Sequence, residues 1–523
     1  MKSGRIVAGL LCAWLAAALA WRIFSIDFGR IEDAAAATSD EGRAWLAPTL
    51  SLLDWKSLPH RSVAYRIERP PQISPTERIV ASAIDFAMLP GSLVLAEDDA
   101  QCADFDFVLT HRHSQHLQRL ADGLGFRKVG ESRDVCLLAR PDVEYEATVA
   151  ATQTGMTIRH LRTGLALGVF VGLAVLVALL TNVRRLSAAW AMLFVCVILI
   201  VCLSATLPHT LISPNGTAVY AGKAKLFLLG GGFPPGVFID KTWAVFQPSY
   251  PPGLTALVAL FYWMSGECGN WLVQAVPFLG VVLSLWFVFC RMRTPVGRLL
   301  VLIIVLSSTT CTLCRGFYAE GWMALFLLLG FVRVVSGRDD LFSWMLLGLA
   351  ACFKNEGFLF YAAMAASLSL CGRWSLCRFS WIMLGLLLPG SWHLYVRYAG
   401  GGLDGFDLHE ISVFLTQTWK ACCLTLRCLF LELDSGLWTI PLAVATPLVQ
   451  AWRRGRSLVG EEKVGVLFVV ISLVLVFCVY GCCESGSFAW HLDSSVRRLL
   501  WTPALLALLA TGLRRSPAST RTP

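Results

Sequence analysis

Three groups of ionisable residues stand where apolar sequence surrounds them, and their types suit the handling of an anionic, oxygen-rich substrate. Lys354-Asn355-Glu356-Gly357 interrupts an otherwise apolar stretch that runs from Leu341 to Leu370. At membrane depth such residues cost about 2.5–3.5 kcal/mol each and normally face a cavity, a partner or a substrate path. The alternative is a polar turn between two short helices, with Lys354 and Glu356 in water. Tyr318-Ala319-Glu320 sets a second carboxylate at the start of an apolar run. There it is either a site residue or a first-turn acid that complements the helix macrodipole. His491-Leu492-Asp493 and the pair Arg497-Arg498 precede the last apolar run. Paired guanidiniums can grip phosphate, or they can form a local salt bridge with Asp493 or Glu484.

The elements that would position these groups are helices in a membrane. The chain has 523 residues, of which 56% are hydrophobic and only 15% charged, against about 25% charged in an ordinary soluble domain. The depletion lies between about Leu161 and Leu513, where apolar runs alternate with short polar clusters, whereas 25–159 has a soluble composition. The net charge of +9 does not indicate nucleic acid. Lys and Arg gather at the ends of apolar runs, at Arg184-Arg185, Arg291 to Arg298, Arg453 to Arg456 and Arg514-Arg515, which is the positive-inside pattern. Most of the 18 cysteines sit in or beside these runs, where cysteine packs as a small hydrophobe. Cys311 and Cys314 have Cys-x-x-Cys spacing without a second pair, and packing is the better reading.

With a full span needing about 20 residues, the runs give about thirteen candidates including the N-terminal one. Lys2 and Arg5 place the N-terminus inside, and Arg514-Arg515 the C-terminus, so the number of crossings is even. The run Tyr250–Met264, short and opened by Pro251-Pro252, is set aside. The fold expected is therefore an α-helical polytopic membrane protein of about twelve spans, in the inner membrane. A small N-terminal α/β soluble domain lies on its outer side. The divisions are a signal anchor at 1–24, an extracytoplasmic α/β domain at 25–159, a transmembrane core at 160–515 and a cytoplasmic tail at 516–523. In this topology 209–249, 315–320, 354–357, 397–433 and 484–498 all fall outside, so every chemically suggestive cluster shares one face.

Within 25–159 the pattern predicts helices at Pro75–Ala87 and Ser114–Leu124, with strands at Ser92–Ala96, Asp104–Thr110, Arg127–Glu131 and Val135–Ala139. Cys102 and Cys136 could pair in an oxidising compartment. His111, His113 and His116 are better read as a strand end entering a helix N-terminus at Ser114 than as metal ligands, since no carboxylate accompanies them. No metal site is assigned.

Between about Ser187 and Leu513 the chain resembles bacterial membrane glycosyltransferases of the GT-C superfamily, in the broad group of protein mannosyltransferases and aminoarabinose lipid A transferases. The resemblance rests on Lys223-Ala224-Lys225 in a long outer loop, on Pro248-Ser249-Tyr250-Pro251-Pro252-Gly253, on Tyr318-Ala319-Glu320 and on Lys354-Asn355-Glu356-Gly357. The segment from His491 to Leu500 matches more loosely. It implies transfer of a sugar from a polyprenyl-phosphate-linked donor to a glycan, lipid or protein acceptor at the outer face, with inversion. No nucleotide site is then needed, and no Rossmann glycine motif is present.

The resemblance implies substrate-binding roles for Lys223, Lys225, Tyr250, Lys354, Glu356, His491, Arg497 and Arg498. The general base would come from the positions Asn215, Asp240 and Glu320. Three acids of the family pattern are replaced, by Asn215, Ser249 and Arg497. An amide cannot take a proton, which leaves Asp240 and Glu320 as the carboxylates for that step. No cofactor is assigned, and a divalent metal is compatible with the chemistry. Expected partners are the lipid-linked donor, membrane lipids and the acceptor. Two other readings stay open: a non-catalytic relative that binds the lipid-linked sugar, and a transporter, for which the internal repeat of broken helices is not evident.

Overall fold

A computed structural model of the chain describes residues 63–66, 93–96, 107–111, 120, 123–131, 135–139, 187–202, 215–230, 249–265, 271–372, 375–400, 411–453, 458, 460–482 and 488–512. The proposed anchor (1–24), the run Leu165–Leu180, the histidines at 113 and 116, Cys102, Asp240 and the tail lie outside these residues.

Five short strands form one mixed sheet: β1 (Val63–Arg66), β2 (Leu93–Ala96), β3 (Phe107–His111), β4 (Arg127–Glu131) and β5 (Val135–Ala139). Their order is β2-β1-β3-β5-β4. β1 runs parallel to both β2 and β3, while β5 is antiparallel to β3 and β4. Four of these strands, β2 to β5, lie where the sequence pattern predicts strands. β1, Val63–Arg66, is the one strand of the five that the pattern does not predict.

Elsewhere the described chain is helical. Its helices are α1 (Ala188–Val201), α2 (Lys223–Gly230), α3 (Gly253–Ser265), α4 (Ala275–Arg291), α5 (Pro295–Leu306), α6 (Ser308–Arg315), α7 (Glu320–Val335) and α8 (Leu341–Phe353). They continue with α9 (Glu356–Leu370), α10 (Leu376–Gly385), α11 (Leu387–Tyr398), α12 (Ile411–Phe430), α13 (Thr439–Arg453), α14 (Gly460–Gly481) and α15 (Phe488–Gly512). A π-helical stretch, Asn215–Gly222, leads directly into α2. Among the described residues one helix, α14 over Glu462–Gly481, is long and apolar enough to cross a membrane. The pairs α5–α6 and α10–α11 qualify only if each is one span, bent by 49° and 47°. Several shorter apolar helices accompany them.

The sequence presents α5–α6 and α10–α11 as single apolar runs, and the bends have local causes. At the first, Ser307 is extended and caps α6 by accepting from the Thr310 amide, while its hydroxyl returns to the Ile304 carbonyl at 2.7 Å. A serine that serves both helix ends breaks the rod. α12 is a larger departure, since 397–433 reads as a polar outer cluster. Gln417, Ala421, Thr425 and Cys428 are buried at the spacing of one helix face, and α12 packs against α14 and α15. An apolar-run criterion misses such a helix because its buried stripe is partly polar.

One continuous apolar core joins α1 through α10 and α12 through α15. A close seam lies between α4 and α7. A Cβ on Gly321 would fall 2.4 Å from the Val281 amide nitrogen, and one on Gly280 would fall 2.7 Å from the Trp322 ring. The missing side chains let Ser284 donate to the Gly321 carbonyl at 2.7 Å and the Trp322 indole to the Val276 carbonyl at 2.8 Å. This seam fixes the first turn of α7, and with it Glu320.

Candidate functional site

Glu320 begins α7 and is completely buried. An isolated carboxylate could not remain charged there, and two cations from distant parts of the chain reach it. Lys354 Nζ lies 3.0 Å from Oε1, and Arg498 donates to the same oxygen at 2.7 Å. The second oxygen, Oε2, is buried and has no hydrogen-bond partner among the described residues.

Lys354 occupies the break between α8 and α9 in extended backbone, with φ −156° and ψ 144°. The break holds its shape through the Gly357 amide, which donates to the Lys354 carbonyl at 2.9 Å. Gly357 permits this, since a Cβ there would meet the Ala350 carbonyl oxygen at 2.6 Å. Lys354 also pairs with Glu356 at 3.1 Å, whose Oε2 is likewise buried without a partner among the described residues. The polar interruption in the apolar stretch is thus a buried ionic junction, not a solvated turn.

The motif Ser249 to Gly253 docks against the same break. A Cβ on Gly253 would lie 2.5 Å from the Cys352 carbonyl oxygen, so α3 starts in contact with the end of α8. Lys223, at the start of α2, donates to the Tyr250 carbonyl at 3.3 Å, and its ammonium lies 5.9 Å from the centre of the Tyr250 ring. Lys225 is buried in the same helix. On the far side the Arg498 guanidinium stacks over the Tyr318 ring at 4.0 Å. That distance suits a cation–π contact.

Glu320, Lys354, Glu356 and Arg498 therefore form one ionic cluster, with Tyr250 and Lys223 beside it. Arg497 does not join them. It turns to Glu432, with two bonds at 2.8 and 3.1 Å, and Arg427 lies 3.3 Å from the same carboxylate. Successive residues on a helix point about 100° apart, so adjacent arginines cannot face one way. The direct hydrogen bond from Arg497, with the charges of Arg497 and Arg427, holds the Glu432 carboxyl below the usual glutamate range. Asn215 opens the π-helical stretch and His491 lies in α15, but their side chains are outside the described part of the structure, as is Asp240. Of the residues expected on one face, Glu320 and Lys354 meet in a buried ion pair, and it is Arg498, not Arg497, that joins them.

Sequence reasoning missed a cavity of about 460 Å³ next to this cluster. Ser308, Thr309 and Thr312 of α6 form one wall. Glu432 and Asp434, in the turn between α12 and α13, form another, and Arg497 and Arg498 of α15 close it. Gly436, at φ +71°, lets that turn approach the α5–α6 bend, since a Cβ there would be 2.8 Å from the Ser307 Cβ. The Trp501 indole donates to the Thr310 hydroxyl at 2.9 Å and ties α15 to the same bend. The signal available in the sequence was Glu432-Leu433-Asp434, two carboxylates in a segment already assigned to the outer side.

Among the described residues no group of three or more His, Cys, Asp or Glu side chains lies together as a metal centre. No family model, curated protein or solved structure matches the chain.

Proposed function

We propose that the chain is a polytopic inner-membrane protein that transfers a sugar from a polyprenyl-phosphate donor to an acceptor hydroxyl at the outer face. Membrane embedding is supported by α14 and by large apolar side chains left open on α1, α11 and α12, such as Met192, Leu394 and Trp419. Exposed apolar surface of this extent marks contact with lipid or another apolar partner.

The observation that carries the reaction is the meeting of Lys354 and Arg498 on the buried Glu320. Cations held in a desolvated place are suited to a phosphate that gains charge as it departs. In the proposed step the acceptor oxygen bonds to the anomeric carbon. The carbon–oxygen bond to phosphate breaks with its electron pair, and polyprenyl phosphate leaves. The acceptor proton passes to a carboxylate, for which Glu320 Oε2 and Asp240 are the candidates.

A second reading is favoured by the same cluster. A carboxylate that accepts from both an ammonium and a guanidinium is a weak base, and Glu320 would then position two cations for binding without turnover. Reconstitution of the full chain in proteoliposomes with a panel of radiolabelled polyprenyl-phosphate sugars decides between them. Transfer that is lost in Lys354→Met supports the enzyme. Retention of the lipid-linked sugar without transfer supports the binder, and a folded protein that neither retains nor transfers any donor refutes both.

A further inference from the structure

α12 has 20 residues, about 30 Å at 1.5 Å per residue, so by length it could cross a membrane. It is not among the helices apolar enough to do so, and its two ends meet the same end of the bundle. Near its start, Phe414 and Thr418 pack on Gly481 at the close of α14, where a Cβ would come within 2.6 Å of the Phe414 ring. Just past its end, Glu432 accepts from Arg497 in the first half of α15. α14 and α15 are joined at that end, so α12 runs along it and does not reach the other, where α13 leads into α14.

Successive residues about 100° apart divide α12 into three faces. Gln417, Ala421, Thr425 and Cys428 are buried against the bundle. Leu415, Trp419, Leu426 and Phe430 form a second stripe, 47–67% exposed. Thr416, Lys420, Cys423 and Arg427 form a third beside it, polar and exposed. An open apolar stripe does not suit a helix in water, and Lys420 and Arg427 do not suit one surrounded by lipid tails. The two stripes side by side are those of a helix lying in the membrane boundary. Lys420 has no ion-pair partner among the described residues. Arg427, its side chain 65% exposed, lies 3.3 Å from Glu432, which Arg497 already holds with two bonds. With Asp434 in the same turn, the three cations Lys420, Arg427 and Arg497 stand against two carboxylates, and this face retains positive charge.

We propose that α12 lies in the outer interface of the bilayer and binds the headgroups of anionic phospholipid. Trp419 and its stripe then sit at the acyl boundary, and Lys420 and Arg427 meet the phosphates. This rests on the membrane embedding proposed above and is independent of sugar transfer.

A photo-crosslinking amino acid in place of Thr416, one turn from Lys420, tests this in the full chain, reconstituted into vesicles of equal parts phosphatidylcholine and phosphatidylglycerol. A second probe replaces Val474, on the exposed side of α14. At Val474 both phospholipids should be captured without preference. At Thr416 phosphatidylglycerol should be captured over phosphatidylcholine roughly fivefold, the scale of one basic side chain at an anionic surface. Combining Lys420→Gln with Arg427→Gln should bring that ratio near parity and leave capture at Val474 unchanged, whereas Lys420→Arg should keep it. Three results overturn the interfacial assignment and leave the membrane embedding standing. They are lipid capture at Val474 with none at Thr416, equal capture of the two phospholipids at Thr416, and capture there of a second copy of the chain in place of lipid. No lipid capture at either position removes both.

Discussion

Arg497 and Arg498 are neighbours in sequence and occupy two different electrostatic worlds. Arg498 points into the bundle with its side chain 10% exposed, against a carboxylate that is 1% exposed. Arg497 points to the cavity with its side chain 40% exposed, and its partner Glu432 belongs to a turn. Both pairs have good geometry, at 2.7 and 2.8 Å, yet their energetic roles differ. In the first, each charge has been taken out of water and depends on the other. In the second, water reaches the arginine, while Glu432 is 14% exposed. Distance alone does not separate a structural ion pair from an incidental one; burial does.

The strongest way to break this contrast is Arg498→Met, which leaves Glu320 buried with Lys354 alone. Removing one member of a buried pair costs about 3–5 kcal/mol, so denaturant unfolding of the purified protein in detergent should shift by that amount. Arg498→Lys should recover part of it. A shift no larger than that of Arg497→Met would show that the buried cluster is wetter than its geometry suggests.

Gly321→Ala tests whether the cluster depends on the α4–α7 seam. The added methyl meets the Val281 backbone at 2.4 Å, which flexible side chains cannot relieve, and overpacking of this kind costs about 1–3 kcal/mol. Because Glu320 precedes Gly321, the proposed function expects retention of the lipid-linked donor to weaken along with stability. Loss of stability with unchanged retention would separate the seam from the site.

Arg497→Met is expected to change stability by only about 0–1 kcal/mol, and the same unfolding assay provides the comparison. The smallest effect is that of pH on the outer pair. Glu432 is held below its usual range by Arg497, so the folded state binds its proton less readily than the unfolded one. Its stabilisation is then fully present above the unfolded glutamate value of about 4.3 and is lost as pH falls through the lower folded value. The stability difference between wild type and Glu432→Gln should stay constant from neutral pH to about pH 5 and shrink below about pH 4. A difference that grows on acidification would reverse the sign and exclude the pairing.

Much of the helical architecture was legible in the sequence because apolar runs bounded by charge have few other ways to fold. The interruption at Lys354-Asn355-Glu356-Gly357 ends α8 at Phe353 and starts α9 at Glu356, where the pattern placed it. Charge, proline and glycine act locally, so their effect on the chain can be read locally. α12 escaped because Gln417 and Thr425 occupy buried positions that an apolar count assigns to solvent. The bend at Ser307 escaped because a hydroxyl that caps one helix and bonds back to another leaves an unbroken apolar run on either side.

Residue types by themselves determined that Glu320, Lys354, Glu356 and the arginine pair were expensive where they stood and needed partners. Only the tertiary structure decided which partners. Glu320 and Arg498 are separated by 178 positions, and nothing in either neighbourhood encodes the other. Which arginine turns inward is set by the rotation of α15 against α6 and α7, and that rotation comes from packing around Thr310, Trp501 and the glycine seam. Local chemistry fixes what a side chain requires, and the arrangement of helices fixes where the requirement is met.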